Sequence, residues 1–169
     1  MKKNNVLIKL ASTCFYIGYL PIPGTITSLA VLVIYLGLIR LKQYPLITDY
    51  IPWMFFLIYS VVVLMALYIG FLTCGPAQKI LGKKDDSRIV IDEVAGMLIA
   101  LWAINPPLGS HPYIHIVIAF VLFRFFDILK PYPLKKLESL PGGIGVMADD
   151  IAAGIYANIL TRIVLLMFN

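Results

Sequence analysis

Two pairs of adjacent carboxylates, Asp92–Glu93 and Asp149–Asp150, stand at the edges of apolar runs in this 169-residue chain. Between them the segment FRFFDILK carries Arg124, Asp127 and Lys130, spaced by three and so on one helix face. Charges beside apolar segments of membrane length are costly, and they mark a functional site by default. The acids offer hard oxygen ligands. Mg2+ takes few protein carboxylates, keeps several waters and completes its shell with substrate phosphate. Asp92, Glu93, Asp149 and Asp150 are therefore the candidate metal ligands, and with Asp127 they are the candidate catalytic acids. Arg124 and Lys130 suit phosphate, the first by paired N–H bonds and the second as a point charge. Pro23-Gly24-Thr25 opens a further apolar helix. Thr25 is a good N-cap there, the free N–H groups can receive a phosphate, and Ser28 lies one turn on along the same face.

Each residue also has a plainer role open to it. Asp149 and Asp150 can cap a helix N-terminus, where the dipole favours carboxylates. Asp127 can pair with Arg124 three residues back. Lys83, Lys84, Lys135 and Lys136 read as snorkelling to lipid headgroups. Cys14 and Cys74 sit in apolar runs and read as buried reduced thiols. Neither cysteine has an arginine six residues later, no Asp-x-Asp pair occurs, and His111 and His115 fall toward the opposite end from the acids. What remains is metal-assisted attack of water on a phosphoryl group, with a carboxylate orienting or deprotonating the water.

The elements that must hold these groups are membrane helices. Hydrophobic residues make up 60% of the chain and charged ones 14%, with a mean hydropathy of +0.89. A soluble domain has about a quarter of its residues charged. The expected fold is all-α, one polytopic bundle of about four to five apolar helices spanning residues 1–169. A short interfacial or half-inserted helix precedes them. Its lysines resemble a signal peptide, but Lys9 breaks the run and no cleavage site is evident. The helices are expected over roughly 25–40, 52–73, 89–104, 113–129 and 148–168. The second has 22 uncharged residues against the roughly 20 a bilayer needs. The third rises only about 24 Å, so its Asp92–Glu93 end belongs at the interface.

Alternating these helices puts eleven of the fourteen basic residues on one side, leaving Arg40, Lys42 and Arg162 on the other. The positive-inside rule makes the eleven-charge side cytoplasmic. Every acid except Asp49 falls on it, which reads as an interfacial enzyme facing the cytoplasm. No basic stripe with interleaved aromatics appears, so nucleic acid is not an expected partner. Asp92-Glu93-Val94-Ala95-Gly96 is weakly echoed by Asp149-Asp150-Ile151-Ala152-Ala153-Gly154, each a pair of acids ahead of a small residue for close helix contact.

Four segments together resemble the phosphatidylglycerophosphatase A family: LPIPGT (20–25) with Ser28, IDEVAGM (91–97), FRFFDILKPYP (123–133), and GGIGVMADD (142–150) with Gly154. They extend over roughly residues 18–156. The resemblance implies a Mg2+-dependent enzyme of the bacterial inner membrane that removes the terminal phosphate of phosphatidylglycerophosphate, giving phosphatidylglycerol. Carried over, Asp92, Glu93, Asp149, Asp150 and Asp127 are the metal and catalytic acids, and Arg124, Lys130 and Thr25 contact phosphate. Asp85 and Asp86 stay open. A small ion-coupled transporter or another phospholipid-binding membrane protein is the alternative, but a transporter would place acids at mid-helix depth. A nucleotide-dependent lipid phosphotransferase would carry Gly-x3-Asp-x3-Asp on one helix, which is absent.

Overall fold

The computed structural model describes residues 3–42, 53–104 and 112–167. Among these, seven α-helices and a 3-10 turn at Ile17–Tyr19 form the chain, with no strand. They are α1 (Lys3–Ser12), α2 (Pro23–Lys42), α3 (Met54–Leu81), α4 (Ile91–Ala100), α5 (Pro112–Leu129), α6 (Leu134–Glu138) and α7 (Gly143–Met167). The all-helical membrane fold is as expected. Among the described residues three helices are long and apolar enough to cross a bilayer, at Pro23–Arg40, Met54–Leu81 and Gly143–Met167. Their outward faces are apolar, as at Ile34, Leu64 and Tyr68, because lipid rather than water surrounds them. Lys2, the polar loop at Asp49 and the turn holding His111 lie outside the described residues.

Four boundaries differ from expectation, each for a local reason. Helix α2 begins at Pro23, which suits a first turn because its missing N–H needs no partner. Thr25 is therefore inside that turn and is not the N-cap. Helix α3 continues through Pro76 to Leu81, well past the expected end at 73. Gly82 stops it with a φ of 80° and an N–H bonded to the Gln78 carbonyl. Helix α7 begins at Gly143, five residues early, after Gly142 turns the chain at φ 66°. Asp149 and Asp150 thus lie in its second turn, which removes the N-capping role open to them.

The fourth difference is the largest. Helix α4 has ten residues, not a span of sixteen. Its carbonyl end is taken up by side chains from three neighbours. The Tyr59 hydroxyl donates to Leu98 O at 2.8 Å, and that of Tyr35 to Leu101 O at 3.3 Å. Asn158 Nδ2 donates to the carbonyls of Ile99 (3.2 Å), Ala100 (3.0 Å) and Trp102 (2.8 Å). Arg162 covers those of Trp102 and Ala103 at 3.0 and 3.2 Å. Backbone can leave a helix inside an apolar bundle only where such partners exist. Arg162, a lone cation far along α7, is thus a partner for the negative end of α4.

Candidate active site

Helix α4 presents Asp92 and Glu93 in its first turn. The loop before it is tied down. Val90 N–H donates to Ser12 O at 2.9 Å, and Arg88 grips Asp86 through Nε at 2.7 Å and Nη2 at 2.6 Å. That hydrogen bonding holds the Asp86 carboxyl below the usual aspartate range. Asp86, left open by the sequence, is therefore an anchor of this loop. Asp85 is exposed but lies within electrostatic range of Asp92, Glu93 and Asp149, so it borders the site.

The two acid pairs meet where α4 crosses α7. A Cβ on Gly96 would sit 2.6 Å from the Asp150 carbonyl oxygen, and one on Gly154 would collide with the Gly96 carbonyl. Only glycine at both positions lets the backbones touch. Asp92 stands one turn before Gly96, and Asp150 one turn before Gly154, so the crossing brings the carboxylates to one level. Asp150 accordingly feels the charges of Asp92, Asp127, Asp149 and Glu93. The sequence echo is a helix contact.

Cations arrive from α5. Arg124 Nη1 pairs with Asp127 Oδ2 at 2.5 Å and reaches Glu93 Oε1 at 3.8 Å. The intrahelical pair weighed for Asp127 therefore forms, and Asp127 also stands beside the acids. Lys130 ends α5 with a φ of 42°, its N–H bonded to Phe126 O. Its ammonium pairs with Asp149 Oδ2 at 2.6 Å and Glu138 Oε1 at 3.0 Å. Burial weighs against this charge, but the Asp149 and Glu138 carboxylates more than offset it and hold Lys130 above the usual lysine range. The Glu138 contact was not foreseen. It comes from α6, a five-residue helix with no periodic signal, closed between Pro133 and Gly142.

Helix α2 supplies the remaining wall. A Cβ at Gly24 would overlap the Glu93 carboxylate, so glycine is what admits Glu93 to the N-terminal end of α2. The charge at that helix end is therefore already a protein carboxylate. Thr25 is half-buried beside it. Ser28 is fully buried, and its hydroxyl has no hydrogen-bond partner; neither has that of Thr27. Helical Ser and Thr ordinarily bond the carbonyl four back, as Thr73 and Thr161 do here at 2.7 Å. Glu93 Oε2, Arg124 Nε and Asp149 Oδ1 are also buried without a partner. Buried polar atoms are nearly always satisfied, so these exceptions on four helices fit a polar ligand with both donor and acceptor groups.

Cys14 and Cys74 are free thiols. Burial, with the charges of Asp92 and Glu93, pushes the Cys14 thiol up to about 12, so it is no nucleophile. His115 is buried in the first turn of α5, at the opposite end of that helix from Arg124 and Asp127. Among the described residues no three His, Cys, Asp or Glu side chains gather closely enough to hold a metal ion on their own.

A family model described as phosphatidylglycerophosphatase A matches residues 10–165. The chain belongs to that family. Three bacterial relatives span most of it. One from Bacteroides thetaiotaomicron, named "Putative phosphatidylinositol-3-phosphatase", is 34% identical over 96% of this chain and 96% of its own length. Phosphatidylglycerophosphatase A of Escherichia coli K12 is 34% identical over 86% of this chain and 76% of its own. Phosphatidylglycerophosphatase A of Haemophilus influenzae is 38% identical over 93% and 89%. No solved structure matches. The chain is thus a membrane phosphatase of bacterial type, and the transporter reading falls away.

Proposed function

We propose that this chain removes the terminal phosphate of phosphatidylglycerophosphate, releasing phosphatidylglycerol and inorganic phosphate, at the cytoplasmic face of a bacterial inner membrane. The observation that carries this is the meeting of Asp92, Glu93, Asp149 and Asp150 with Arg124 and Lys130 at one end of a membrane-length bundle. Two of the relatives bear the name of that activity. The excess of Lys and Arg at the same end supports the cytoplasmic orientation.

Arg124, with Nε still unpartnered, and Lys130 hold the phosphoryl oxygens and offset their charge. A carboxylate of the α4–α7 crossing orients a water and takes its proton. The water oxygen bonds to phosphorus, the bond from phosphorus to the glycerol oxygen breaks, and that oxygen gains a proton. The all-oxygen donor set, with Glu93 Oε2 and Asp149 Oδ1 lacking partners, fits a hard cation bound through one or two carboxylates. Mg2+ bound by residues among Asp92, Glu93, Asp149 and Asp150 would add Lewis-acid charge at the phosphoryl group.

The test is phosphate release by the purified protein in detergent, with Mg2+, with EDTA, and for Asp149→Asn and Asp150→Asn. Release that needs Mg2+ and collapses in both variants is expected. No release from folded wild-type protein would overturn the reading. Phosphatidylinositol 3-phosphate belongs in the same assay, because the relative named for that substrate covers 96% of this chain. Preference for it would change the head group and leave the chemistry intact.

A further inference from the structure

An apolar groove of about 340 Å³ runs between α2, α3 and α4, and the phosphate chemistry makes no use of it. Its upper end lies within about a turn of the candidate site along α2 and α4. Val94 follows Glu93 directly, and Val31 is three residues on from the unpartnered Ser28. Val62 of α3 closes the same end, because α3 approaches the acids at its C-terminal half, where Gly70 faces Met147. The middle is formed by Tyr35, Tyr59 and Leu98. Both tyrosine hydroxyls are turned away to backbone carbonyls, and their rings meet edge-to-face at 5.4 Å, so they offer the groove only carbon. Leu38 and Met54 form the far end. From Val31 to Leu38 the groove follows α2 for about 10 Å. Ile34 and Ile58, 64% and 52% exposed, flank its open side and face the bilayer.

We propose that this groove holds one acyl chain of the lipid substrate, the phosphorylated head lying at Glu93, Ser28 and Arg124. This rests on the lipid-phosphatase reading above. The argument is continuity. A carbon-lined groove that faces the bilayer begins at residues adjoining Glu93 and Ser28, whose buried oxygens lack partners. The ligand matching both halves has a phosphate at one end and a long alkyl chain at the other. A water-soluble phosphomonoester would leave the groove without a role. The groove therefore makes turnover depend on acyl length.

The test fills the groove from its lipid-facing side, where larger side chains leave the core undisturbed. Ile34→Phe and Val62→Phe are compared with Val61→Phe, an exposed neighbour that does not line the groove. Turnover is measured on phosphatidylglycerophosphates with two-carbon chains, too short to enter the groove, and with sixteen-carbon chains. Both groove variants are expected to raise KM for the long-chain lipid about tenfold, the loss of about two buried methylenes, and to leave the short-chain KM within about twofold. Val61→Phe should change neither. Equal loss on both lipids, or none on the long one, would overturn the groove as the acyl site.

A second measurement does not depend on turnover. A long-chain phosphatidylglycerophosphate with a photoreactive diazirine midway along the chain should label Leu38 and Met54 of the wild type, and the groove variants should lose that label. Labelling spread evenly over all lipid-facing helices would overturn the proposal. If wild-type protein hydrolyses neither lipid yet is labelled at Leu38 and Met54, the groove stands and the reaction assigned to the site fails.

Discussion

Asn158→Leu should loosen the membrane half of the bundle by an amount that its bonds allow us to work out. Asn158 is buried and donates to three carbonyls at the end of α4, those of Ile99, Ala100 and Trp102. Its Oδ1 also accepts from Arg162 Nε at 2.8 Å. In the variant, Arg162 still covers Trp102 O and the Trp102 N–H still reaches Ile99 O at 3.0 Å, so the Ala100 carbonyl loses this donor and Arg162 Nε loses its acceptor. A buried polar group left unsatisfied costs about 1–3 kcal/mol in water-soluble proteins. Inside membranes single side-chain hydrogen bonds average only about 0.6 kcal/mol. Two groups at about 1 kcal/mol each, between these limits, give about 2 kcal/mol, roughly a thirtyfold shift in the unfolding equilibrium. Unfolding by SDS in mixed micelles, followed by circular dichroism, measures it. Asn158→Asp keeps an acceptor for Arg162 but aims oxygens at carbonyls, so it should cost at least as much. A loss below about 0.5 kcal/mol in both variants would refute the claim that these bonds hold the end of α4.

The remaining predictions concern the site. Gly96→Leu should separate α4 from α7, because even its Cβ would meet Asp150 O and the Phe123 ring at 2.6 Å. Such overpacking costs about 1–3 kcal/mol, and phosphate release should be lost even where helix content by circular dichroism is kept. Lys130→Met should cost far more activity than Glu138→Gln. Asp149 is nearly fully buried and would be left unpaired, whereas the Glu138 side chain is 36% exposed and its pair is solvent-screened. Phosphate-release rates for the two variants decide this, and equal losses would contradict it. Asp86 has its folded-state pKa lowered by Arg88, so its contribution to stability is full above the ordinary aspartate range and is lost as pH falls through the lowered value. Asp86→Asn should therefore unfold with a weaker dependence on acid between pH 5 and 2 in the same micelle titration, at about those limits.

Much of the site could be read along the chain because its signals are local. Two acid pairs beside apolar runs are conspicuous in any order, and Arg124 and Asp127 meet because three residues span one turn. The small residues Gly96 and Gly154 announced a close helix contact, though not that each was the other's partner. Composition alone required an all-helical membrane protein, since a bilayer leaves the backbone few other ways to satisfy itself.

Tertiary structure decided what depends on distant partners. Lys130 neutralises Asp149 across nineteen residues and Glu138 from a helix too short to carry a period. Gly24 reads as a helix start in sequence and is in fact the gap that seats Glu93. The apolar run after Ala100 supports further helix by propensity, yet α4 ends there because Tyr35, Tyr59, Asn158 and Arg162 take its carbonyls. Helix periodicity and side-chain cost are properties of a few neighbouring residues and so are written in order along the chain. Which carbonyl meets which donor is settled only when helices pack, and at this site that packing sets where the acids stand.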